Sequence, residues 1–216
     1  MISAVDLDQL YNAIVDGNAK AAAALAKDAV AANVDPQTLL NDYMIPAMDE
    51  VGARFAANEC FVPELLISAR AMKAGLEVIR PLLLAQASEP AGSVIVATVQ
   101  GDIHDIGKNL VATMLEGGGF RIIDIGTDVG PDKLVDAVHE HHPQIVALSA
   151  LLTTTLPSMK RLIDALARAG VRNSVKVMIG GAPVTQAYAD EIGADGYSDN
   201  AAGAVTLARR LIDAAA

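Results

Sequence analysis

The chain has one cysteine, no surplus of basic residues, and only four histidines in 216 residues. Each shortage removes a class of function. Cys60 alone builds neither an internal disulfide framework nor a cysteine-cluster metal site within one chain, and it reads as a small packed hydrophobe. Lys and Arg number 16 against 26 Asp and Glu, a formal net charge of −10, so nucleic acid and anionic membrane surfaces would be repelled. No stretch reaches the roughly 18 apolar residues of a membrane span. The opening "MISAVDLDQLYNAIV" lacks the positive n-region of a secretory signal. A cytoplasmic protein without nucleic-acid or membrane partners is therefore expected. What the chain does have is 52% hydrophobic residues, ample for a sizeable core, and a length between one and two average domains.

Apolar periodicity divides the chain in two. Up to about residue 86 the spacing is helical: Leu7, Leu10, Tyr11, Ile14 and Val15 share one face, and the alanine-rich stretch 19–32 favours helix by propensity, with Leu25 and Val30 as its modest apolar side. Asp35 offers an N-cap and Pro36 a first helical position. Leu40, Met44, Ala47, Val51 and Phe55 then line one face, with a kink expected at Pro46. A fourth helix from Pro63 turns Leu65, Leu66, Ala69, Met72, Leu76, Ile79 and Leu83 inward. Four short-looped amphipathic helices imply a four-helix bundle cap over residues 1–86, and the methionines 44, 48 and 72 read mainly as its core. "QASEPAGS", 86–93, reads as a linker.

Beyond it, continuous apolar runs alternate with helical stretches: "SVIVATV" (93–99), "RIIDIG" (121–126), "QIVALSA" (144–150), "VKVMIGG" (175–181) and a short "DGYS" (195–198). Runs without alternation imply strands buried on both faces. "EGGG" at 116–119 ends a helix. Residues 93–216 are thus expected to be an α/β domain, a flavodoxin-like (Rossmann-like) five-stranded parallel sheet with helices on both faces. Its strand order 2-1-3-4-5 opens a crevice at the carboxyl ends of strands one and three. The loop "QGDIHDIGKN" follows strand one and "SALLTTTLP" follows strand three, so both polar connections fall at that crevice. Gly180 and Gly181 after strand four would let backbone approach a bulky ligand.

The histidine of the first loop, His104, has several readings. The loop is no P-loop, because five residues separate Gly101 from Gly107 and Asn109 follows Lys108. No G-x-G-x-x-G follows strand one, and Ser149 stands near where a phospho-acceptor receiver needs aspartate. A hydrolytic zinc site would find only Asp102 and Asp105 at hand. A lone loop histidine ordinarily makes a local hydrogen bond. The "HEHH" cluster, 139–142, is a set of cations at a helix C-terminus closed by Pro143.

Taken together, Asp102-x-His104-x-x-Gly107, Ser149-x-Leu151 and Gly180-Gly181 resemble the cobalamin-binding signature D-x-H-x-x-G … S-x-L … G-G, in the same order and on the same loops. "MDEVGARFAANECFVPELLISARAMKAGLEVIRPLL" resembles the helical cap that precedes this domain in cobalamin-dependent methionine synthase and in the small corrinoid proteins of methyltransferase systems. Two departures are Asn58, where the family has glycine, and Thr155, where methionine synthase carries serine.

The resemblance implies a cobalamin cofactor, methylcobalamin or a related corrinoid, bound base-off/His-on. His104 would then be the lower axial ligand of cobalt, Asp102 the acceptor for its other ring nitrogen and Thr155 the third member of a relay; these three are the implied catalytic residues. Gly101, Ile103, Asp105 and Ile106 would complete the loop against the cofactor, and Gly107 would let the next helix start beneath the corrin. Ser149, Leu151 and Thr153 match residues facing the nucleotide tail, with Gly180, Gly181, Asp199 and Ala201 around its far end. Met72 is assigned to the upper corrin face, which the bundle would shield.

The implied function is a methyl carrier, not a complete enzyme. Its partners would be a substrate:corrinoid methyltransferase, a corrinoid:acceptor methyltransferase and a reductive activase. Two alternatives are weaker. A cobalamin-dependent sensor would normally bring a basic helix-turn-helix, which is missing, and the small subunit of an adenosylcobalamin mutase resembles only the sheet domain.

Overall fold

A computed structural model describes residues 6–85 and 90–214. They fall into two compact units, the first running to Pro90 and including 116–119, the second holding the remainder. Of the expected linker, residues 86–89 lie outside the described residues.

The first unit is helical: α1 (Leu7–Val15), α2 (Ala19–Ala31), α3 (Pro36–Thr38), α4 (Ile45–Ala56) and α5 (Val62–Ala85). Asn18 caps α2 by accepting from the Ala21 N–H at 3.0 Å, and Asp35 caps α3 by accepting from Thr38 N–H at 3.0 Å. The stress expected at Pro46 is met differently from a simple kink. Residues Leu39–Met44 form a π-helical segment in which Ile45 N–H donates to Leu40 O. Pro46 then falls in the first turn of α4, where its missing N–H is not needed.

The core of this unit is Leu10, Ile14, Leu39, Met44, Ala47, Met48, Val51, Leu65, Met72 and Ile79. Three expectations are corrected. The buried stripe of α2 is Ala22, Ala26 and Ala29 rather than Leu25 and Val30. These small side chains allow close helix approach, for a Cβ on Gly75 of α5 would meet Met44 Cε at 3.0 Å and Ala22 O at 3.9 Å. Leu66 is exposed, together with Phe61, Val62 and Ile67, while Leu40, Phe55, Leu76 and Leu83 are only half-buried. A 24-residue helix presents more apolar positions than one packed stripe can cover.

Asn58 has a physical account. It sits at φ 60 just past α4, where Asn58 N–H donates to Phe55 O and Glu59 N–H to Arg54 O. This is the left-handed helix stop that glycine, or failing it asparagine, fills. Asn58→Ala should lower unfolding free energy by about 1 kcal/mol and Asn58→Gly leave it equal or slightly higher, as read by urea denaturation; equal loss in both would contradict the account.

The second unit contains β1 (Ser93–Thr98), α6 (Ile106–Gly117), β2 (Arg121–Asp124), α7 (Pro131–His141), β3 (Ile145–Ser149), α8 (Leu156–Arg168), β4 (Lys176–Gly180), α9 (Gln186–Ile192), β5 (Gly196–Ser198) and α10 (Ala201–Asp213). All strand pairs are parallel and the order is β2-β1-β3-β4-β5, as expected. Ile95, Ala97, Val146, Leu148, Val177 and Ile179 form one core with Leu134 of α7, Met159, Leu162 and Leu166 of α8, and Ile192 of α9. α10 packs on β3, β4 and β5. β1 is buried throughout. β2 corrects the expectation of burial on both faces: Arg121 and Asp124 are exposed and Ile122 and Ile123 half-buried, because β2 is an edge strand. Thr98 and Ser149, the last residues of β1 and β3, pair in register. Their following connections diverge there, and the site is built at that point.

Candidate functional site

The segment from Val99 to Asp105 links β1 to α6, and Asp102 is its anchor. The Asp102 carboxylate is fully buried. Its Oδ1 accepts from the His104 backbone N–H at 3.0 Å and meets His104 Nδ1 at 2.7 Å. Its Oδ2 accepts from Leu151 N–H at 2.8 Å, Leu152 N–H at 3.3 Å and the Thr155 hydroxyl at 2.9 Å. The hydroxyl also lies 2.8 Å from Leu152 O, so its single proton sits between two acceptors. One carboxylate thus joins the loop after β1 to the segment after β3.

Burial pushes the Asp102 carboxyl upward. Hydrogen bonds from the His104 and Leu151 backbones, the His104 ring and Thr155 outweigh it and hold the group well below the usual carboxylate range. An ionised carboxylate only accepts, so Nδ1 is the protonated nitrogen of the neutral ring and Nε2 keeps its lone pair. The lone pair lies on the edge away from Asp102, on a side chain that is 48% exposed.

Both loops that meet at Asp102 carry apolar side chains open to solvent. Ile103 and Ile106 are 76% and 82% exposed, and Leu151 and Leu152 are also open. Exposed leucines and isoleucines on the two loops that join at an oriented imidazole mark a binding surface. At Gly107, in the first turn of α6, a Cβ would find nothing within 4 Å. Nitrogen ligation at the centre and a broad apolar margin suit a large flat metal complex.

The structure brings Asp102, His104, Leu151 and Thr155 into one network, and Ser149, Gly180 and Ser198 side by side at neighbouring strand ends. Thr153 is exposed in the segment after β3, and Asp105 accepts from Asn109 Nδ2 at 3.1 Å. Asp199 is exposed beyond β5, while Ala201 is buried in the first turn of α10, whose cap is Asn200. Met72 is buried on α5 in the first unit.

Gly181 needs a different explanation from ligand approach: its φ is +132, and a Cβ there would lie 1.9 Å from Ala150 O. The chain's own backbone already demands glycine. Sequence reasoning missed Leu152, Asp128 and Lys108. The pair of leucines in "SALLTTTLP" was a signal for the first; the other two act through contacts distant in sequence. Among the described residues no group of three or more His, Cys, Asp and Glu could hold a metal ion, so neither the zinc reading nor "HEHH" assembles one.

The family described as the B12 binding domain matches residues 92–206, over the sheet unit and every residue of this network, and a second B12 binding domain family matches 6–80. The chain belongs to the B12 binding domain family.

This B12-binding protein is 46% identical over 203 residues to trimethylamine corrinoid protein 2 of Methanosarcina mazei, covering 93% of each chain. It is 38% identical over 209 residues to a corrinoid protein of Desulfitobacterium hafniense, covering 95% of this chain and 97% of that one. Among solved structures, a cobalamin-binding protein from Desulfitobacterium hafniense matches with TM-score 0.81 and 36% identity, over 96% of this chain and 98% of that one. The methanol:cobalamin methyltransferase complex from Methanosarcina barkeri matches with TM-score 0.84 and 29% identity, over 96% and 79%. The cofactor of the B12-binding chain is therefore a cobalamin-type corrinoid, and a half-exposed imidazole whose Nδ1 is taken up by Asp102, on loops with open apolar side chains, fits that group. Among the described residues no helix is long and apolar enough to cross a membrane.

Proposed function

We propose that the protein is a methyl carrier that holds its corrinoid base-off/His-on. His104 Nε2 would be the lower ligand, and the carrier would move a methyl group between a substrate:corrinoid methyltransferase and a corrinoid:acceptor methyltransferase, with a reductive activase as third partner. The bound corrinoid supplies a cobalt centre that accepts and releases a methyl group. The observation that carries the reading is the imidazole itself, oriented through Nδ1 by a buried carboxylate on a side chain that is half open to solvent. Asp102 fixes the tautomer and raises the basicity of the ring, and Thr155 holds a proton beside Asp102. Ser149, Leu151, Thr153, Gly180, Gly181, Asp199 and Ala201 line the way for the nucleotide tail. Relatives named as trimethylamine and dimethylamine corrinoid proteins favour a methylated amine as methyl source.

The test is direct. Reconstituted with cobalamin, reduced, and mixed in turn with the methyltransferases for trimethylamine, dimethylamine and methanol and their substrates, the protein is expected to show the absorbance of the methylated cofactor with one of the amines. Failure to retain cobalamin through gel filtration would overturn the carrier function. Methylation from methanol alone would overturn the amine assignment.

A further inference from the structure

The His104 network is held from the β3 side by Leu151, Leu152 and Thr155. A second set of contacts reaches the same loop from the other side of β1, where β2 lies. The turn after β2 carries Asp128, whose carboxylate Oδ1 accepts from Gly101 N–H at 2.8 Å, while Asp128 N–H donates to Asp102 O at 2.9 Å. This reciprocal pair grips the Gln100–Gly101 peptide, one residue ahead of Asp102, and the Asp102–Ile103 peptide that follows it. Asp128 is held at φ 53, a left-handed conformation that a non-glycine residue adopts only where its surroundings compensate. The chain flanking this grip is fastened by the isolated bridge between Val99 and Val129.

The far end of the loop is tied to the same turn. Lys108, in the first turn of α6, is only 4% exposed, which is unusual for a strongly hydrated ammonium. It pairs with Asp124 at the end of β2 and donates to Asn109 Oδ1 at 2.8 Å. The other Asp124 oxygen accepts from Gly126 N–H at 2.8 Å. Residues 124 and 128 therefore hold the two ends of the segment that presents His104, one through the peptide at Asp102 and one through Lys108.

We propose that the turn after β2, residues 124–128, is a clamp that sets the orientation of the His104 imidazole, with Asp128 and Lys108 as its positioning residues. Asp102 sits between two grips: β3-side donors hold its carboxylate, and the clamp holds its main chain. Releasing the main chain lets the carboxylate follow the β3 side and withdraw from Nδ1. The bearing of this clamp on cobalt rests on His104 being the ligand, whereas its bearing on the imidazole does not.

The experiment accordingly uses the cofactor-free full chain. Asp128→Gly keeps the left-handed backbone and removes the acceptor; Asp128→Asn keeps both an acceptor and a tolerance for that backbone. The readout is the exchange with water of the His104 Nδ1 proton by nuclear magnetic resonance, referred in the same sample to the backbone amides of β3 and β4, whose exchange rises with any general loss of stability. Exchange is expected to rise about tenfold in Asp128→Gly, the factor that the loss of one strong hydrogen bond carries, and to return toward wild type in Asp128→Asn. Lys108→Met, which leaves Asp124 solvated and fills the same volume, tests the other end and should raise exchange in the same direction by about threefold. Wild-type exchange in folded Asp128→Gly, or in Lys108→Met should the glycine variant not fold, would overturn the clamp. Neither result bears on whether cobalamin binds.

Discussion

Replacement of His104 by alanine is expected to abolish the nitrogen splitting of the cobalt(II) electron paramagnetic resonance signal while leaving the protein folded. The ring is half open to solvent and among the described residues it bonds Asp102 alone, which keeps the backbone N–H of residue 104 on the same oxygen. Little packing is therefore lost, and surface truncations of this kind typically stay within about 1 kcal/mol. What disappears is the lone pair at Nε2. The wild-type protein, labelled throughout with nitrogen-15 and loaded with unlabelled cobalamin, should show the two-line splitting of a spin-one-half nucleus. A three-line splitting that survives labelling would come from the cofactor's own base, and base-off/His-on binding would be wrong.

Asp102→Asn should have the largest effect on stability. The carboxylate receives five donors in a fully buried position: the backbone and ring of His104, two backbone N–H groups and a hydroxyl. An amide supplies one oxygen. Its NH2, facing Oδ2's donors, confronts the N–H groups of Leu151 and Leu152. Facing Oδ1's, it confronts His104 N–H and can bond the ring only if the proton moves to Nε2, which removes the lone pair. Each buried donor left without an acceptor costs about 1–3 kcal/mol, so a loss of about 3 kcal/mol in urea denaturation is expected.

The same substitution changes the pH profile. Because the folded protein holds the Asp102 carboxyl well below the ordinary range, the stability it contributes is complete above the unfolded value, about 3.9, and drains away as pH falls through the folded value. The gap between wild type and variant should therefore be constant near neutrality and close below about pH 4. The cobalt(II)/cobalt(I) midpoint potential should shift in the variant, since the ring proposed as the ligand loses its anionic partner. Equal stability and an unmoved potential would reduce Asp102 to an ordinary loop residue.

How legible these features were in the sequence follows from the kind of force behind each. The strands at 93, 144 and 175 were visible because a strand covered on both faces leaves an unbroken apolar run, whereas the grouping of Asp102, His104 and Thr155 was legible only through the resemblance to a cobalamin-binding family. β2, "RIIDIG", was read with the same two-sided burial although the expected order 2-1-3-4-5 put it at the edge, and its exposed Arg121 and Asp124 are the mark of that position. The alanines of α2 misled for another reason, since they pack by letting backbones approach, and apolar bulk drew attention to Leu25 and Val30 instead. Asp128 left no trace at all. Its function depends on a backbone N–H and a left-handed turn 27 residues from the peptide it grips, and neither has a residue pattern.

Gly180 and Gly181 carry a wider implication. A Cβ on the first would meet Ser198 O at 3.0 Å and on the second Ala150 O at 1.9 Å, so the ends of β3, β4 and β5 abut main chain to main chain. The spacing of the ledge beside His104 is accordingly set by peptide geometry, with no side chain acting as a shim. Residues such as Thr153 and Asp199 on its rim are free to vary in size and polarity without changing its width. If the nucleotide tail lies along this ledge, as proposed, corrinoids with different nucleotide loops can be accommodated by exchanging rim residues alone, over a platform of constant gauge.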